Sequence, residues 1–411
     1  MRRVLFWLHL AAGIIAGLVI AILCFTGAAL AFEKQLVAWA ERDARRVELP
    51  AHATRLPLTE LTQRVRLAHP EAKPTALVVA ADPRAAIIFQ LGRARSLYAN
   101  PYTGDIRMPA STRVHDSLHT LEDWHRWLAL GGDHRPVGKA ITGAANSTFL
   151  VLAVTGLYLW WPRSWSWRGL RAVAVLNLRV TGKARDWNWH HALGLWSAPV
   201  LIVLTLTALP ISYRRANNLL YTATGTEPPA PAIGPTTTPP GPAMPHAAAD
   251  AQPLALDALF AAATAAQPAW TELTFRLAVP ERRGPAATPR HQILNSEQRG
   301  ERAVASAATE APRRNNPPAV AVTVRTADQW PRFAATTLHL DPFTGAVLRN
   351  DAFADLPTGR RLRSWARFLH TGEACGWPGQ FIAAVASAAG LVLVWTGFAL
   401  AWRRLFRRTA P

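Results

Sequence analysis

The sequence lacks the motifs by which many redox proteins hold their cofactors. It has two cysteines, Cys24 and Cys375, in 411 residues and no Cys-x-x-Cys-His signature, which excludes a cofactor attached through thioether bonds of that kind. It has no Gly-x-Gly-x-x-Gly pattern opening a βαβ unit, so no FAD or NAD(P)H domain of that type is visible. The two cysteines allow one disulfide in an oxidising compartment, but at these positions small apolar packing residues are the commoner interpretation.

Acidic residues are scarce relative to basic ones. The chain has 45 Lys and Arg against 26 Asp and Glu, which gives a formal net charge of +19. Such a charge raises the hypothesis of nucleic-acid binding. Many of the basic residues, however, lie in short segments beside long apolar runs, where positive charge fixes the topology of membrane proteins. We therefore expect membrane lipid as a partner and no nucleic acid.

Four apolar runs are long enough to cross a bilayer, which takes about 20 residues. They lie at roughly 4–32, 141–161, 192–211 and 381–402. The first run follows two arginines like a signal peptide, but it is longer than the apolar core of one, and we interpret it as a retained helix.

The basic flanks predict the orientation of these helices. They are Arg2 and Arg3 before the first run; Arg163, Arg168, Arg171, Arg179, Lys183 and Arg185 between the second and third; and Arg403, Arg404, Arg407 and Arg408 after the fourth. If these segments are cytoplasmic, both termini are cytoplasmic and the two long loops lie outside. We predict a multi-pass protein of the bacterial inner membrane with two periplasmic loops.

The two halves of the chain repeat each other. His9 begins the first run and His190 the third; each is followed by a glycine four residues on, and each precedes a threonine (Thr26 or Thr207) by 17 residues. The second and fourth runs share a Thr-Gly pair, at 155–156 and 396–397. A pseudo-symmetric four-helix bundle follows from a duplication of this scale.

The long loops repeat as well. Residues 97–104 correspond to 338–345, each with a strand running into a Pro/Gly turn. Further predicted strands are 76–80, 86–90, 273–279 and 319–325, and predicted helices are 58–69 and 254–266. A small α+β module is therefore expected in each loop. The second loop also contains a Pro/Ala-rich insert at about 227–253, which has the composition of a disordered segment.

The predicted fold is an all-α four-helix transmembrane bundle with two periplasmic α+β modules and internal duplication. The predicted boundaries are 1–32 (helix 1), 33–112 (module 1), 113–162 (interfacial helix and helix 2), 163–187 (basic loop), 188–213 (helix 3), 214–360 (module 2), 361–403 (interfacial helix and helix 4) and 404–411 (tail).

Four histidines occupy matching places at the ends of the apolar runs. His9 and His190 would meet at the cytoplasmic end, and His125 and His370 at the outer end. Polar residues within membrane spans are costly and usually functional, and neutral imidazole is a common axial ligand of haem iron. Two imidazole pairs predict two stacked b-type haems held through His9, His190, His125 and His370.

Two further histidines are secondary candidates. His119 lies on the same interfacial helix as His125 and could replace it as the outer ligand. His191 follows His190 directly but points from another face of the helix and lacks the glycine four residues later. Histidines at helix ends also cap carbonyl groups or extend to the interface, so the matched placement of all four carries the prediction.

These features resemble the PepSY-associated transmembrane family. The similar stretches are Trp7 to Gly13, Trp124 to Leu128, Thr155 to Trp161 and Leu369 to Glu373, and the loops resemble PepSY domains through their Asn/Asp-Pro-aromatic-Thr-Gly turns. The resemblance covers nearly the whole chain. It implies a di-haem inner-membrane protein similar to ferrisiderophore reductases, or to the membrane part of some flavin-bearing reductases.

The leading functional hypothesis is an oxidoreductase that passes electrons through two haems to a periplasmic ferric siderophore or other ferric chelate. Its donor would be quinol or a cytoplasmic flavoprotein, because the cytoplasmic segments are too short to hold a flavin domain. Outer-loop arginines favour an anionic ligand; they include Arg93, Arg95, Arg282, Arg283, Arg313 and Arg314. The alternatives are a non-enzymatic PepSY membrane binding or regulatory protein, a haem-bearing subunit of another flavin-dependent reductase, and, less favoured, a transporter of the iron complex.

Overall fold

The computed structural model describes residues 1–51, 54–92, 95–161, 166–229, 252–277 and 319–406. Most of the Pro/Ala-rich insert lies outside these residues. So do five of the six outer-loop arginines named above, Arg95 being the exception, and the flank residues Arg163, Arg407 and Arg408.

Within the described residues the helices alternate with two groups of strands. The helices are α1 (Arg2–Leu30), α2 (Glu33–Ala40), α3 (Arg42–Arg45), α4 (Leu58–Ala68), α5 (Arg113–Trp127), α6 (Arg135–Trp160), α7 (Trp167–Ala174), α8 (Gly182–Ser212), α9 (Arg214–Thr222), α10 (Leu256–Ala266), α11 (Thr358–His370) and α12 (Gly376–Leu405). The strands are β1 (Ala76–Ala80), β2 (Ile87–Gln90), β3 (Ser96–Ala99), β4 (Ile106–Arg107), β5 (Trp270–Arg276), β6 (Val320–Thr326), β7 (Thr336–Leu340) and β8 (Val347–Asp351).

Four helices, α1, α6, α8 and α12, are long and apolar enough to cross a membrane. They coincide with the four apolar runs, so the prediction of a multi-pass membrane protein is confirmed. Each packs against two others, in the cyclic order α1, α6, α8, α12. Consequently α1 lies diagonally opposite α8, and α6 lies opposite α12. We call the end where α1 begins the far end of the bundle, and the end where α1 finishes the sheet end.

The bundle places small residues inside and large apolar residues outside. Gly17 lets Phe398 pack against the α1 backbone, since an added Cβ would lie 2.6 Å from the ring. Gly390 likewise lets Cys24 pack against the α12 backbone, since a Cβ added at Gly390 would lie 2.7 Å from the Cys24 sulfur. Close backbone approach at small residues is the usual basis of helix packing in lipid. Exposed side chains such as Ile15, 83% exposed, instead face the surroundings of the bundle.

The strands form one antiparallel sheet at the sheet end, in the order β4-β3-β2-β1-β5-β6-β7-β8. The first four strands come from the first long loop and the last four from the second. The two groups join through β1 and β5, where Val78 pairs with Thr274. The sequence predicted two separate small modules, and the structure unites their strands in a single sheet.

The helices α4 and α10 cover one face of this sheet. Fully buried side chains from both halves, including Leu61, Phe89 and Phe275, form the core between them. The carboxylate of Asp257 on α10 accepts hydrogen bonds from the backbone N–H groups of Leu58 and Thr59 at the start of α4. This contact satisfies two donors that a helix N-terminus leaves free, and it ties the two halves together.

The two cysteines are both free. Cys24 is buried in α1, whereas Cys375 is exposed just before α12.

Candidate functional site

Two histidines face each other at the sheet end. His125 is near the end of α5 and His370 is the last residue of α11. Their ring centroids lie 6.2 Å apart, with the planes inclined at 46°. A metal held between two imidazoles needs about 2 Å to each nitrogen, and each nitrogen lies roughly 1 Å from its ring centre, so about 6 Å is the expected centroid separation. The pair therefore has the spacing of two axial ligands of one metal.

The His125 ring is held by the neighbouring helix α1. Its Nδ1 lies 2.8 Å from the Thr26 hydroxyl oxygen, and that hydroxyl donates its own proton to the Ile22 carbonyl at 2.7 Å. Since the threonine has only one proton to donate, it must accept the proton of His125 Nδ1–H. The lone pair of His125 is thereby placed on Nε2, the nitrogen left for a metal. Orientation of a ligand histidine through its second nitrogen is the usual arrangement at metal sites.

The far end repeats this arrangement twice. His9 Nδ1 lies 2.9 Å from the Thr155 hydroxyl of α6, and His190 Nδ1 lies 3.0 Å from the Thr396 hydroxyl of α12. Both hydroxyls donate to backbone carbonyls of their own helices. Both imidazoles therefore carry Nδ1–H and leave Nε2 free. His9 and His190 thus lie at the far end on the diagonally opposite helices α1 and α8.

A glycine follows each of these threonines and gives the imidazole room. A Cβ at Gly27 would lie 3.3 Å from His125 Cε1, and a Cβ at Gly156 or Gly397 would lie 3.5 Å from the Cε1 of His9 or His190. Three histidines are thus seated on a Thr-Gly pair of an adjacent helix, with the hydroxyl on Nδ1 and the bare backbone beside Cε1. The Thr-Gly pairs are visible in the sequence as repeat markers, but their role as histidine seats is not.

The fourth histidine is held differently. His370 Nδ1 lies 2.9 Å from the backbone carbonyl oxygen of Leu204, which only accepts, so Nδ1 is again the protonated nitrogen. The matching pair on α8 is Thr207-Ala208, and the Thr207 hydroxyl bonds to carbonyls of its own helix. Ala208 carries the Cβ that Gly27 lacks, which leaves less room for the imidazole beside the threonine. All four histidines nevertheless present Nε2 as the free nitrogen.

A glycine lies one turn after each far-end histidine, where a flat ligand could approach the backbone. A Cβ built on Gly13, one turn after His9, would meet nothing within 4 Å, and a Cβ on Gly194 would meet Leu393 only at 3.7 Å. Within the described residues no group of three or more His, Cys, Asp or Glu side chains is arranged to hold a bare metal ion. Paired imidazoles with free Nε2 atoms, and bare glycine backbone one turn away at the far end, fit a metal whose other ligands come from a macrocycle such as haem.

The secondary candidates are placed elsewhere. The His119 side chain is 43% exposed, and its Nδ1 lies 3.7 Å from an Asp123 carboxylate oxygen. His191 donates from Nδ1 to the Trp187 carbonyl at 2.8 Å and packs on the Trp187 ring. Neither residue has a partner on another membrane helix among the contacts of the described residues.

A buried ion cluster lies one turn before His190. Asp186 is fully buried and pairs with Arg185 at 2.9 Å and with Arg403 of α12 at 2.9 Å. The Arg185 guanidinium also lies 4.8 Å from the centre of the Trp395 ring. A buried carboxylate requires such partners, and here they fasten α8 to α12 beside the far-end histidines.

The face of the sheet opposite α4 and α10 carries two buried polar side chains at matching positions. On β3, Tyr98 donates to Glu41 at 2.6 Å, and burial raises the pKa of the Tyr98 hydroxyl. On β7, His339 is 4% exposed and its Nε2 lies 3.2 Å from an Asp351 oxygen. Burial, and then the Arg349 guanidinium, lower the pKa of His339, so it is neutral at pH 7.

The family model for the PepSY-associated TM region matches residues 6–404. A search of curated proteins found no match.

Proposed function

The chain belongs to the PepSY-associated TM region family, and on that premise we propose that it carries electrons across the membrane through two b-type haems. The acceptor is a ferric siderophore or another ferric chelate, which makes the protein an oxidoreductase. The observation that carries this proposal is the His125–His370 pair, with ring centres 6.2 Å apart and Nδ1 of each ring occupied.

The residues of the chain have defined tasks in this function. Haem supplies a reversible one-electron change of its iron. The Thr26, Thr155 and Thr396 hydroxyls and the Leu204 carbonyl accept the Nδ1 protons, which leaves Nε2 as the nitrogen that would hold the iron and would raise the basicity of the imidazole. Two histidines would hold each haem, His125 with His370 and His9 with His190, and an iron held by two imidazoles would supply electron transfer rather than oxygen chemistry.

We assign the far end to the cytoplasm and the sheet end to the periplasm of a bacterial inner membrane. The assignment rests on the basic residues of the far end, such as Arg2, Arg3, Arg403 and Arg404. The far-end pair would take electrons from quinol or a cytoplasmic flavoprotein. The sheet-end pair would deliver them to the chelate.

We further assign each group of four strands with its helix, α4 or α10, to a PepSY-like module. The same order of elements in both halves supports an internal duplication: long helix, helix with four strands, short helix bearing a histidine, long helix. The threonine–glycine seats of His9 and His190, at matching places, support it as well.

The direct test is reoxidation of the reduced protein. Dithionite-reduced protein, freed of excess reductant, should be reoxidised by a ferric siderophore with release of ferrous iron, which a ferrous chelator traps. His370→Ala should abolish this reaction while the far-end haem remains reducible. If His370→Ala is reoxidised as fast as the parent, or if ferric chelates do not oxidise the parent, the proposal fails; a colourless parent from haem-replete cells would favour a non-enzymatic binding protein.

A further inference from the structure

A groove of about 530 Å³ crosses the sheet where its two halves join. It lies on the face opposite α4 and α10: Leu77 and Val79 of β1 point into the core, whereas Ala76 and Val78 line the groove. Side chains along a strand alternate between faces, so the groove is floored by the residues that the core does not use. Its volume is within the range of pockets that hold small ligands.

The groove is lined by polar and basic side chains from both halves. Three arginines, Arg45, Arg276 and Arg325, stand against one glutamate, Glu272. Neutral hydrogen-bonding side chains complete the lining; they are Thr75, Gln90, Ser96, Thr274 and Thr323. Guanidinium groups match the planar geometry of carboxylates, and hydroxyl and amide groups suit the remaining oxygens of such a ligand.

Two of the arginines are held in ways that differ. The Arg45 guanidinium lies 2.8 Å from a carboxylate oxygen of Glu41, which also accepts a hydrogen bond from the Tyr98 hydroxyl. This ion pair fixes the position of the Arg45 side chain. Arg325 is 3.6 Å from Glu272, with both side chains more than 40% exposed. An exposed pair at that distance contributes little, so an anion can compete for Arg325.

The groove is linked through Arg45 to the helices that carry the sheet-end histidines. Arg45 belongs to α3, which continues from α1 through α2. Helix α2 also packs against α5, the helix that carries His125. The groove is therefore joined to the sheet-end histidine His125 through α3, α2 and α5.

We propose that this groove binds an anionic metal chelate whose organic part is a polycarboxylate. The inference rests on the proposed function, because it names the docking site and the charge class of the acceptor. Binding uses Arg276 and Arg325 from the second half of the sheet and Arg45 from the first, so the site exists only where the two halves join.

Gallium(III) citrate is the probe, because gallium resembles ferric iron in charge and is not reduced by haem. Binding to the full-length purified protein is followed by isothermal titration calorimetry. The Arg276→Gln/Arg325→Gln variant should bind about tenfold more weakly or worse, since it loses two charge-assisted contacts. Glu272→Gln should bind gallium citrate more tightly than the parent, because the carboxylate of Glu272 no longer competes with the ligand for Arg325. Arg325→Gln alone should also bind more weakly, whereas Arg66→Gln, the same loss of one charge on exposed α4 behind the sheet, should leave affinity unchanged.

The outcomes separate this inference from the proposed function. The inference is overturned if the parent shows no saturable binding, or if the double variant and Arg66→Gln bind equally. Citrate without metal tests the source of the anion; binding as tight as that of the gallium complex would overturn recognition of a chelate. Haem content is measured on the same preparations. If the parent contains haem and reduces ferric siderophores but does not bind gallium citrate, only the inference about the groove is contradicted. If the parent contains no haem but binds gallium citrate in an arginine-dependent way, only the proposed function is contradicted.

Discussion

Replacing Thr26 by valine should loosen the sheet-end haem without disturbing the fold. Thr26 is 2% exposed, and its hydroxyl is the acceptor for His125 Nδ1–H at 2.8 Å. Valine keeps nearly the same shape but cannot accept a proton. The imidazole of His125 is then free to rotate or to move its proton to Nε2, and both changes would take the lone pair away from a metal held between His125 and His370.

The expected magnitude follows from two independent estimates. A buried donor left without its acceptor costs about 1–3 kcal/mol. Loss of the hydrogen-bond partner of a ligand histidine typically lowers metal affinity by roughly 10–100-fold, which corresponds to about 1.4–2.7 kcal/mol. The two ranges agree, so Thr26→Val should weaken haem affinity at the sheet-end site by one to two orders of magnitude. The midpoint potential of that haem should also rise, because its ligand becomes less basic.

The assay is transfer of haem to an excess of apomyoglobin, combined with a potentiometric titration. Thr207→Val is the matched control: it occupies the repeat position of Thr26, but among the described residues its hydroxyl bonds to Val203 and Leu204 of its own helix and to no histidine. Because His370 is held by the Leu204 backbone carbonyl, this control should retain both haems with parental affinity. Equal haem loss in Thr26→Val and Thr207→Val, or none in either, would refute the assigned seats.

Three further perturbations have expected outcomes. Gly138→Ala should lower the free energy of unfolding by about 1–3 kcal/mol, because the added Cβ would collide with the Trp127 carbonyl oxygen. Gly131→Ala is the control and should not lower it, because, beyond its chain neighbours, no atom of the described residues lies within 4 Å of a Cβ at that position. Equal shifts in melting temperature for the two variants would contradict this. The melting temperature should fall as the pH drops below about 6.5, because the imidazole of residue 339 binds a proton in the unfolded state at a higher pH than buried His339 does in the folded state. His339→Gln should reduce that fall. A pH profile of the melting temperature identical to that of the parent would contradict this role. Asp186→Asn should destabilise the bundle by about 3–5 kcal/mol, because it leaves two arginines at the α8–α12 contact without their carboxylate, and an unchanged chemical denaturation midpoint would exclude that role.

The four long helices, the module helices, the histidine-bearing short helices and most strands could be predicted because they depend on local patterns, whereas the short helices α2, α3, α7 and α9 were not predicted. The predicted strand 76–80 coincides with β1, and the predicted helices 58–69 and 254–266 differ from α4 and α10 by no more than two residues at either end. Apolar length determines a membrane span and alternation determines a strand, and both are legible within a short window. The joining of the two groups of strands through β1 and β5 was not predictable. It depends on edges almost 200 residues apart in sequence, and neither edge carries a local signal for its partner.

The four histidines could be predicted from the repeat, but the groups that accept their Nδ1 protons could not. His9 meets Thr155 across 146 residues, and this contact follows from the packing of α1 against α6 rather than from either sequence. Symmetry alone would also have misled at the fourth seat. There Ala208 replaces the glycine of the first half, and His370 uses a backbone carbonyl instead of the Thr207 hydroxyl. The partner of the histidine therefore differs between the halves, while Nδ1 is the protonated nitrogen in both.

The central claim is that four histidines hold two haems in two pairs, and haem quantification on single and paired variants tests it most directly. The pyridine haemochrome of the purified parent should give two b-type haems per chain. His125→Ala, His370→Ala and their double variant should each retain one haem with the same spectrum, and His9→Ala and His190→Ala should each retain the other. A parent without haem, or a His125→Ala/His370→Ala double variant that loses both haems while each single variant loses a different one, would contradict the account.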